Sequence, residues 1–478
     1  MPVPRRRVVG GVVVGAVALL LVIGVLSGTL GAAGRWGLYA TGLWVDGGAS
    51  TLPASVLSGA PTTTTPTPTA AAPSPVLGAP STGGAPDAGA LKKMLAGVDR
   101  TDVGRVGAEV VDVATGTSLY GSGGATPMTP ASTMKLLTTV SVLSALGPDH
   151  RFSTTVVSPE PGRLVLVGGG DPYLITAADP SHPDRATLSE LAARTATALK
   201  AQGLAKVALQ WDASLFAGPG WNPTWPEKYG DEVATTSALW VDGARTQKVN
   251  PGPRDADPAK AATEAFAAAL RKEGITVAGT ATPTTAPKGA TAVAEVESEP
   301  LETIVEAVLR TSDNDAAEVL FRQVSVAAGG NGSIKASVAA VQAELVRLGV
   351  GADRTRIVDG SGMSRDNAVP PALTAGIMVL ALSEDHPELR SLVTGLPVAA
   401  ADGSLRSRYF SSGTEPGRGV VRAKTGTLTK VHALAGYTRT ESGRTVAFAF
   451  VVNGGDDFSD RVFLDRITAA LTSCGCGS

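Results

Sequence analysis

The sequence predicts an α+β fold with a discontinuous main body and a large inserted α/β domain. Two observations predict the body: strand patterns ahead of an apolar helix near residue 130, and a C-terminal strand meander closed by a helix. A third predicts the insertion, because the interval 152–287 carries strand and helix patterns of its own and can bury its own core.

The chain has 478 residues, room for two or three domains at roughly 100–200 residues each. With 43% hydrophobic and 18% charged residues, 57 Gly and 32 Pro, the composition suits a globular protein with long Gly- and Pro-rich connections. The formal charge of −2 provides no basic field, so nucleic acid is not an expected partner. Only two cysteines occur, Cys474 and Cys476, and the four histidines form no HExxH pair. Neither a metal nor another cofactor is expected.

Taken in order, residues 1–34 begin with Arg5, Arg6 and Arg7 and continue as an uncharged, largely apolar run. Positive flank followed by apolar stretch is the order that targets a membrane. Two readings fit: a signal peptide removed after export, and a retained membrane anchor. Either leaves the bulk of the chain extracytoplasmic, with 35–58 as a juxtamembrane segment. Residues 59–90 are rich in Ala, Pro and Thr, with seven prolines, and read as an extended linker.

LKKMLAGVDR then reads as a short helix, and VGAEVVDVATG with TSLYG as two strands around a Thr115-Gly116 turn. In MTPASTMKLLTTVSVLSALG, Thr129 is placed to cap a helix and Pro130 suits its first turn. Leu136, Leu137, Val140, Leu143 and Leu146 recur at helical spacing before Gly147. Ser132 and Lys135 are thereby set on one face of the first turn. Inside the insertion, RLVLVG, KVALQWD and ITVAGTAT read as strands, and LSELAARTATALKAQG and ADPAKAATEAFAAALRKEG as helices. After Pro300 comes a helical middle, and the end of the chain reads VRAKTG, HALAGYTRT, TVAFAFVVN and a closing helix.

The Ser132-Lys135 placement has a chemical use. A serine hydroxyl becomes a nucleophile when a base takes its proton, and a lysine amine one turn away serves if its pKa is lowered. Alone, Ser-x-x-Lys is weak, since about one is expected by chance in a chain this long. Two further motifs change the weight. Ser312-Asp313-Asn314 sits at a turn between two helical patterns, where by itself it is an ordinary cap, and Lys424-Thr425-Gly426-Thr427 leaves a strand pattern. Each of the three falls where its chemistry needs it: helix start, interhelical turn, strand.

In these motifs the sequence resembles the penicillin-recognising serine enzymes. VGGGDPYL at 167–174, WDASLFAGPGW at 211–221, DGSGMSRDN at 359–367, ADGSLRSRY at 401–409 and GTLTKVHALAGY at 426–437 look like the D-alanyl-D-alanine carboxypeptidase/endopeptidase (S13) family, the class C low-molecular-mass penicillin-binding proteins. The resemblance implies a penicillin-binding/β-lactamase-like catalytic domain, 91–151 plus 288–478, with an antiparallel sheet, flanking helices and a helical lobe bounding a cleft. The long interval between Ser132 and Ser312, about 180 residues, separates this reading from the compact β-lactamases. At Lys430 the family usually has a small residue, often Gly.

The resemblance also implies roles. Ser132 attacks the penultimate carbonyl of a peptidoglycan stem peptide and forms an acyl-enzyme. Lys135 is the base, Ser312 relays the proton to the leaving amine, Asn314 holds the substrate amide, and Lys424 with Thr425 faces the terminal carboxylate. Gly426 lets the substrate backbone lie close, and the backbone N–H groups of Ser132 and Thr427 form the oxyanion hole. The expected partners are stem peptides, β-lactams and, through an uncleaved N-terminus, the membrane. The expected location is the cell membrane or the cell wall. Carboxypeptidase and cross-link endopeptidase use the same residues, and a catalytically silent wall-sensing module is the alternative from another class. Asp359, Ser361 and Arg365 are expected to brace the cleft. Cys474 and Cys476 are left open between a local disulfide and free thiols.

Overall fold

The computed structural model describes residues 86–247, 249 and 251–476. The expected N-terminal segment, the juxtamembrane stretch and nearly all of the linker lie outside the described residues. Among those described, no helix is long and apolar enough to cross a membrane. The described residues form an α+β fold with two five-stranded sheets.

The first sheet joins the two ends of the chain. After α1 (Ala88–Ala96), β1 (Arg105–Asp112) and β2 (Ser118–Ser122) meet the C-terminal β8 (Arg422–Leu428), β9 (Val431–Arg439) and β10 (Thr445–Asn453) in the order β2-β1-β10-β9-β8. Every pairing is antiparallel. β10 is buried from Val446 to Val452, and its sequence is an unbroken apolar run because both faces are covered. Small Ala447 and Ala449 face the helical lobe. Phe448 and Phe450 point the other way, towards the layer built by α1 and the closing helix α10 (Asp457–Thr472).

At the centre of the helical lobe is α2 (Met134–Leu146), buried at every position from Met134 to Leu143. Even its polar positions Lys135, Thr138, Thr139 and Ser141 are buried, so the helix is enclosed on every side. It packs among α5 (Leu301–Thr311), α6 (Asn314–Ala327), α7 (Ile334–Arg347) and α8 (Pro371–Leu382), with the short α9 (Arg390–Thr394) beside them. The expected start of α2 needs correction. Thr129 caps nothing: a 3-10 turn over Ala131–Thr133 precedes the α-helix.

The second sheet has the order β6-β5-β4-β3-β7. It comprises β3 (Ser153–Glu160), β4 (Arg163–Val167), β5 (Lys206–Asp212), β6 (Thr276–Pro283) and β7 (Thr291–Glu297). β4, β5 and β6 run parallel through the crossover helices α3 (Leu188–Ala201) and α4 (Pro258–Lys272). Its core includes Leu166, Leu191, Leu209 and Phe266 and is separate from that of the helical lobe. The boundary placed at Pro287 falls short, because β7 pairs with β3 and Val296 enters this core. TAVAEVE is mostly exposed, with only Val296 buried, which left it without a strong apolar signal.

Phe266 is fully buried in that core. Phe266→Ala is expected to destabilise the protein by about 3–5 kcal/mol, read as a lowered urea midpoint.

Candidate active site

The three motifs converge on one cleft. Ser132 lies half-buried in the 3-10 turn, directly after Ala131, whose φ of 47° is left-handed. Such a conformation costs a non-glycine residue about 1–2 kcal/mol, so the turn is held by its surroundings. Two glycines make room for it. A Cβ on Gly426 would lie 2.6 Å from the Pro130 carbonyl oxygen, and one on Gly362 would lie 1.9 Å from that of Ala131. Gly426 thus admits the nucleophile's turn against β8.

Lys135, fully buried in the first turn of α2, makes three contacts. Its Nζ lies 3.0 Å from Ser132 Oγ and donates to Asn314 Oδ1 and the Ser361 carbonyl, each at 2.7 Å. Burial lowers its pKa to about 8, against the pull of Asp359, Asp313, Glu318 and Asp315. A neutral amine has two N–H groups and one lone pair. With the N–H groups committed to two carbonyl oxygens, the lone pair is left for the Ser132 hydroxyl proton.

Ser312 ends α5 in the left-handed conformation, and Asp313 caps α6 by accepting from Ala316 N. This turn presents Ser312 and Asn314 side by side. Lys424 Nζ donates to Ser312 Oγ at 2.8 Å and to the Thr425 carbonyl at 2.8 Å. Lys424 is fully buried, and its pKa is driven well down, first by burial and then by the charge of Lys135. Thr425 is buried with Oγ1 2.7 Å from Ser404 Oγ, and Thr427 is exposed. Ser132, Ser312, Asn314 and Thr427, with Tyr229 and Met363, line a cavity of 380 Å³.

Around this centre the DGSGMSRDN loop is the expected brace. Asp359 accepts from Trp225 Nε1, Gly362 N, Ser364 N and Asn367 Nδ2, and Arg365 donates to the Thr429 carbonyl at 2.9 Å. Lys430 follows with a φ of 60°. That backbone explains why a glycine is at home there. Cys474 and Cys476 form a disulfide far along the chain from these motifs.

Sequence reasoning missed the insertion's share. Asn314 Nδ2 donates to the Glu232 carbonyl. Asp315 accepts from Ala234 N and pairs with Arg245 and Arg254 at 3.0 Å each. It also missed Glu318. In α6 the charges Asp315, Glu318 and Arg322 are three and four residues apart, the spacing of an exposed stripe, yet all three are buried. Charged residues inside a wholly buried helix were the available signal.

A family model described as the D-Ala-D-Ala carboxypeptidase 3 (S13) family matches residues 88–247 and 228–473. The chain is similar to carboxypeptidase DacB of Mycolicibacterium smegmatis, 35% identical over 403 residues that cover 82% of this chain and 85% of that protein. It is also similar to the D-alanyl-D-alanine carboxypeptidase of an Actinomadura species, 29% identical over 443 residues, 76% of this chain and 80% of that one. In fold it resembles penicillin binding protein 4 (dacB) from Haemophilus influenzae, with a TM-score of 0.65 and 22% identity over 79% of this chain and 97% of that chain.

The Trp225, Glu232, Arg245 and Arg254 contacts make the insertion part of the site's framework. Replacing 153–297 with a short linker is therefore expected to abolish covalent labelling by a fluorescent penicillin even in soluble protein. Trp225→Phe is expected to cost about 1–3 kcal/mol, since it removes one donor from buried Asp359, read by thermal melting.

Proposed function

The chain belongs to the D-Ala-D-Ala carboxypeptidase 3 (S13) family, and from that premise we propose how its residues carry the family's reaction and where. The protein is a serine DD-peptidase acting on peptidoglycan stem peptides through an acyl-enzyme. The observation that carries this reading is the Lys135 amine, enclosed and held 3.0 Å from Ser132 Oγ.

Ser132 Oγ attacks the carbonyl carbon of the penultimate D-alanine while its proton passes to Lys135 Nζ. The oxyanion is stabilised by the backbone N–H groups of Ser132 and Thr427. β8 is the last strand of its sheet, so substrate backbone is recognised along a strand edge, with Asn314 on the amide. Collapse of the intermediate breaks the C–N bond, and the proton that Lys135 took from Ser132 passes to the leaving amine through Ser312 Oγ, which Lys424 orients. Water then attacks the acyl-enzyme, releasing the shortened peptide and restoring the Ser132 hydroxyl. A β-lactam enters by the same first step, since its ring amide presents a carbonyl to Ser132. The cleft accepts a terminal D-alanine, and a cross-linked strand in its place makes the same reaction an endopeptidase cut.

The location follows from the N-terminal pattern: the folded body works outside the cytoplasm, carried there by residues 1–34 and held by them at the membrane where they are retained. The proline-rich 59–90 stretch gives that body reach towards the wall.

Two outcomes test the assignment. Ser132→Ala is expected to abolish both penicillin attachment, seen by intact-protein mass spectrometry, and D-alanine release from a D-Ala-D-Ala pentapeptide. In wild type, the second-order acylation rate is expected to rise with pH through a limb near 8, where Lys135 loses its proton, and to level off above it. A limb near the ordinary lysine value of about 10.4 removes Lys135 as the pre-formed base.

A further inference from the structure

Glu318 lies four residues after Asn314, one turn further along α6, and is 3% exposed. Its Oε1 accepts from Gly360 N at 2.9 Å and from Ser361 N at 2.7 Å. The same loop is gripped from the opposite side, where Thr138 Oγ1 donates to the Gly360 carbonyl and Lys135 Nζ to the Ser361 carbonyl, each at 2.7 Å. The loop packs closely on α6 at this point, since a Cβ on Gly360 would lie 2.4 Å from Phe321 Cβ.

We propose that Glu318 is a positioning residue for the reaction, acting through the 360–361 backbone to fix the carbonyl that takes one Lys135 N–H and so to aim the amine's lone pair at Ser132. The proposal rests on the reading of Lys135 as base. Two N–H groups on one carboxylate oxygen fix the tilt of the loop, and with it the Ser361 carbonyl that faces Lys135. Lost aim is costly, since a misplacement of about 1 Å can reduce a rate on the order of a hundredfold.

The charge of Glu318 acts on the same amine. The groups that bear on Lys135 are Asp359 from the brace loop, Asp313, Asp315 and Glu318 from the turn and α6, and Lys424 from β8. Those that bear on Glu318 are Asp359 and Arg322. Burial and the Asp359 charge push the Glu318 carboxyl up to about 8, the range in which Lys135 also titrates. An anion beside Lys135 favours its ammonium, so removing it moves the loss of the lysine proton to lower pH.

The test measures acylation by a fluorescent penicillin across pH, normalised to active sites counted by mass spectrometry, in full-length wild type, Glu318→Gln and Glu318→Ala. Gln keeps an oxygen for both N–H groups but carries no charge. It is expected to hold the plateau rate within about threefold and to shift the limb to lower pH. Ala removes the acceptor and is expected to lower the plateau by about 10–100-fold per active site. Thr138→Val loosens the same peptide from its other side and is expected to lower the plateau by a smaller factor, which keeps the test decisive if Glu318→Ala does not fold. A wild-type limb and plateau per active site in Glu318→Gln and in whichever of the other two variants folds overturns the proposal, leaving Glu318 a structural residue. Loss of labelling at Ser132 in wild type would instead overturn the reading on which it rests.

Discussion

The structure turns on a lysine amine kept away from water. In bulk solvent Lys135 would be an ammonium with no lone pair to offer. Enclosed in the protein its pKa falls to about 8, because desolvation penalises the charged form. The opposing acids keep that fall moderate. Burial alone would nevertheless leave an amine free to rotate, and two carbonyl acceptors remove that freedom. One belongs to Asn314 and the other to Ser361, so the first residue of α6 and a brace loop from separate parts of the chain together determine where the base points.

The architecture follows from assembling those parts. α2 brings Ser132 and Lys135, the α5–α6 turn brings Ser312 and Asn314, and β8 brings Lys424 through Thr427. The sheet that holds β8 includes strands from both ends of the body, so the cleft closes only after the whole chain is made. The insertion reaches in with Trp225, Glu232, Arg245 and Arg254. Its own sheet and core are separate, while its loops are not.

What the sequence disclosed and what it hid divide along physical lines. Ser132, Lys135, Ser312, Asn314 and Lys424 were legible because each is a reactive type placed at a local structural signal, and the structure brings all five together. The strands of the first sheet were legible because enclosed β10 is a continuous apolar run. Contacts made through backbone were not legible, since Ser361 and Glu232 contribute carbonyls that any residue possesses. The packing of the nucleophile's turn on Gly426 was hidden for a related reason: its Cβ position is blocked by Pro130 and Ala131, nearly 300 residues earlier in sequence. Glu318 was obscured by the rule that charge marks a solvated face, and α6 breaks that rule at three positions.

Those breaches have a thermodynamic consequence. Lys135 ordinarily titrates near 10.5 and is depressed to about 8, so the folded state holds fewer protons than the unfolded one between these values. Stability therefore rises with pH across that window, and below it the burial costs about 3 kcal/mol. Glu318 is displaced in the other sense, from 4.5 up to about 8. The folded state holds more protons between those values, and stability from this group falls as pH rises through them. Burial of the two groups therefore opposes folding in opposite pH directions, Lys135 on the acid side and Glu318 on the alkaline side. A body of this size can carry such a load because two large apolar cores lie on either side of the first sheet. The strain is concentrated where the proton must move, and the packing that offsets it lies elsewhere.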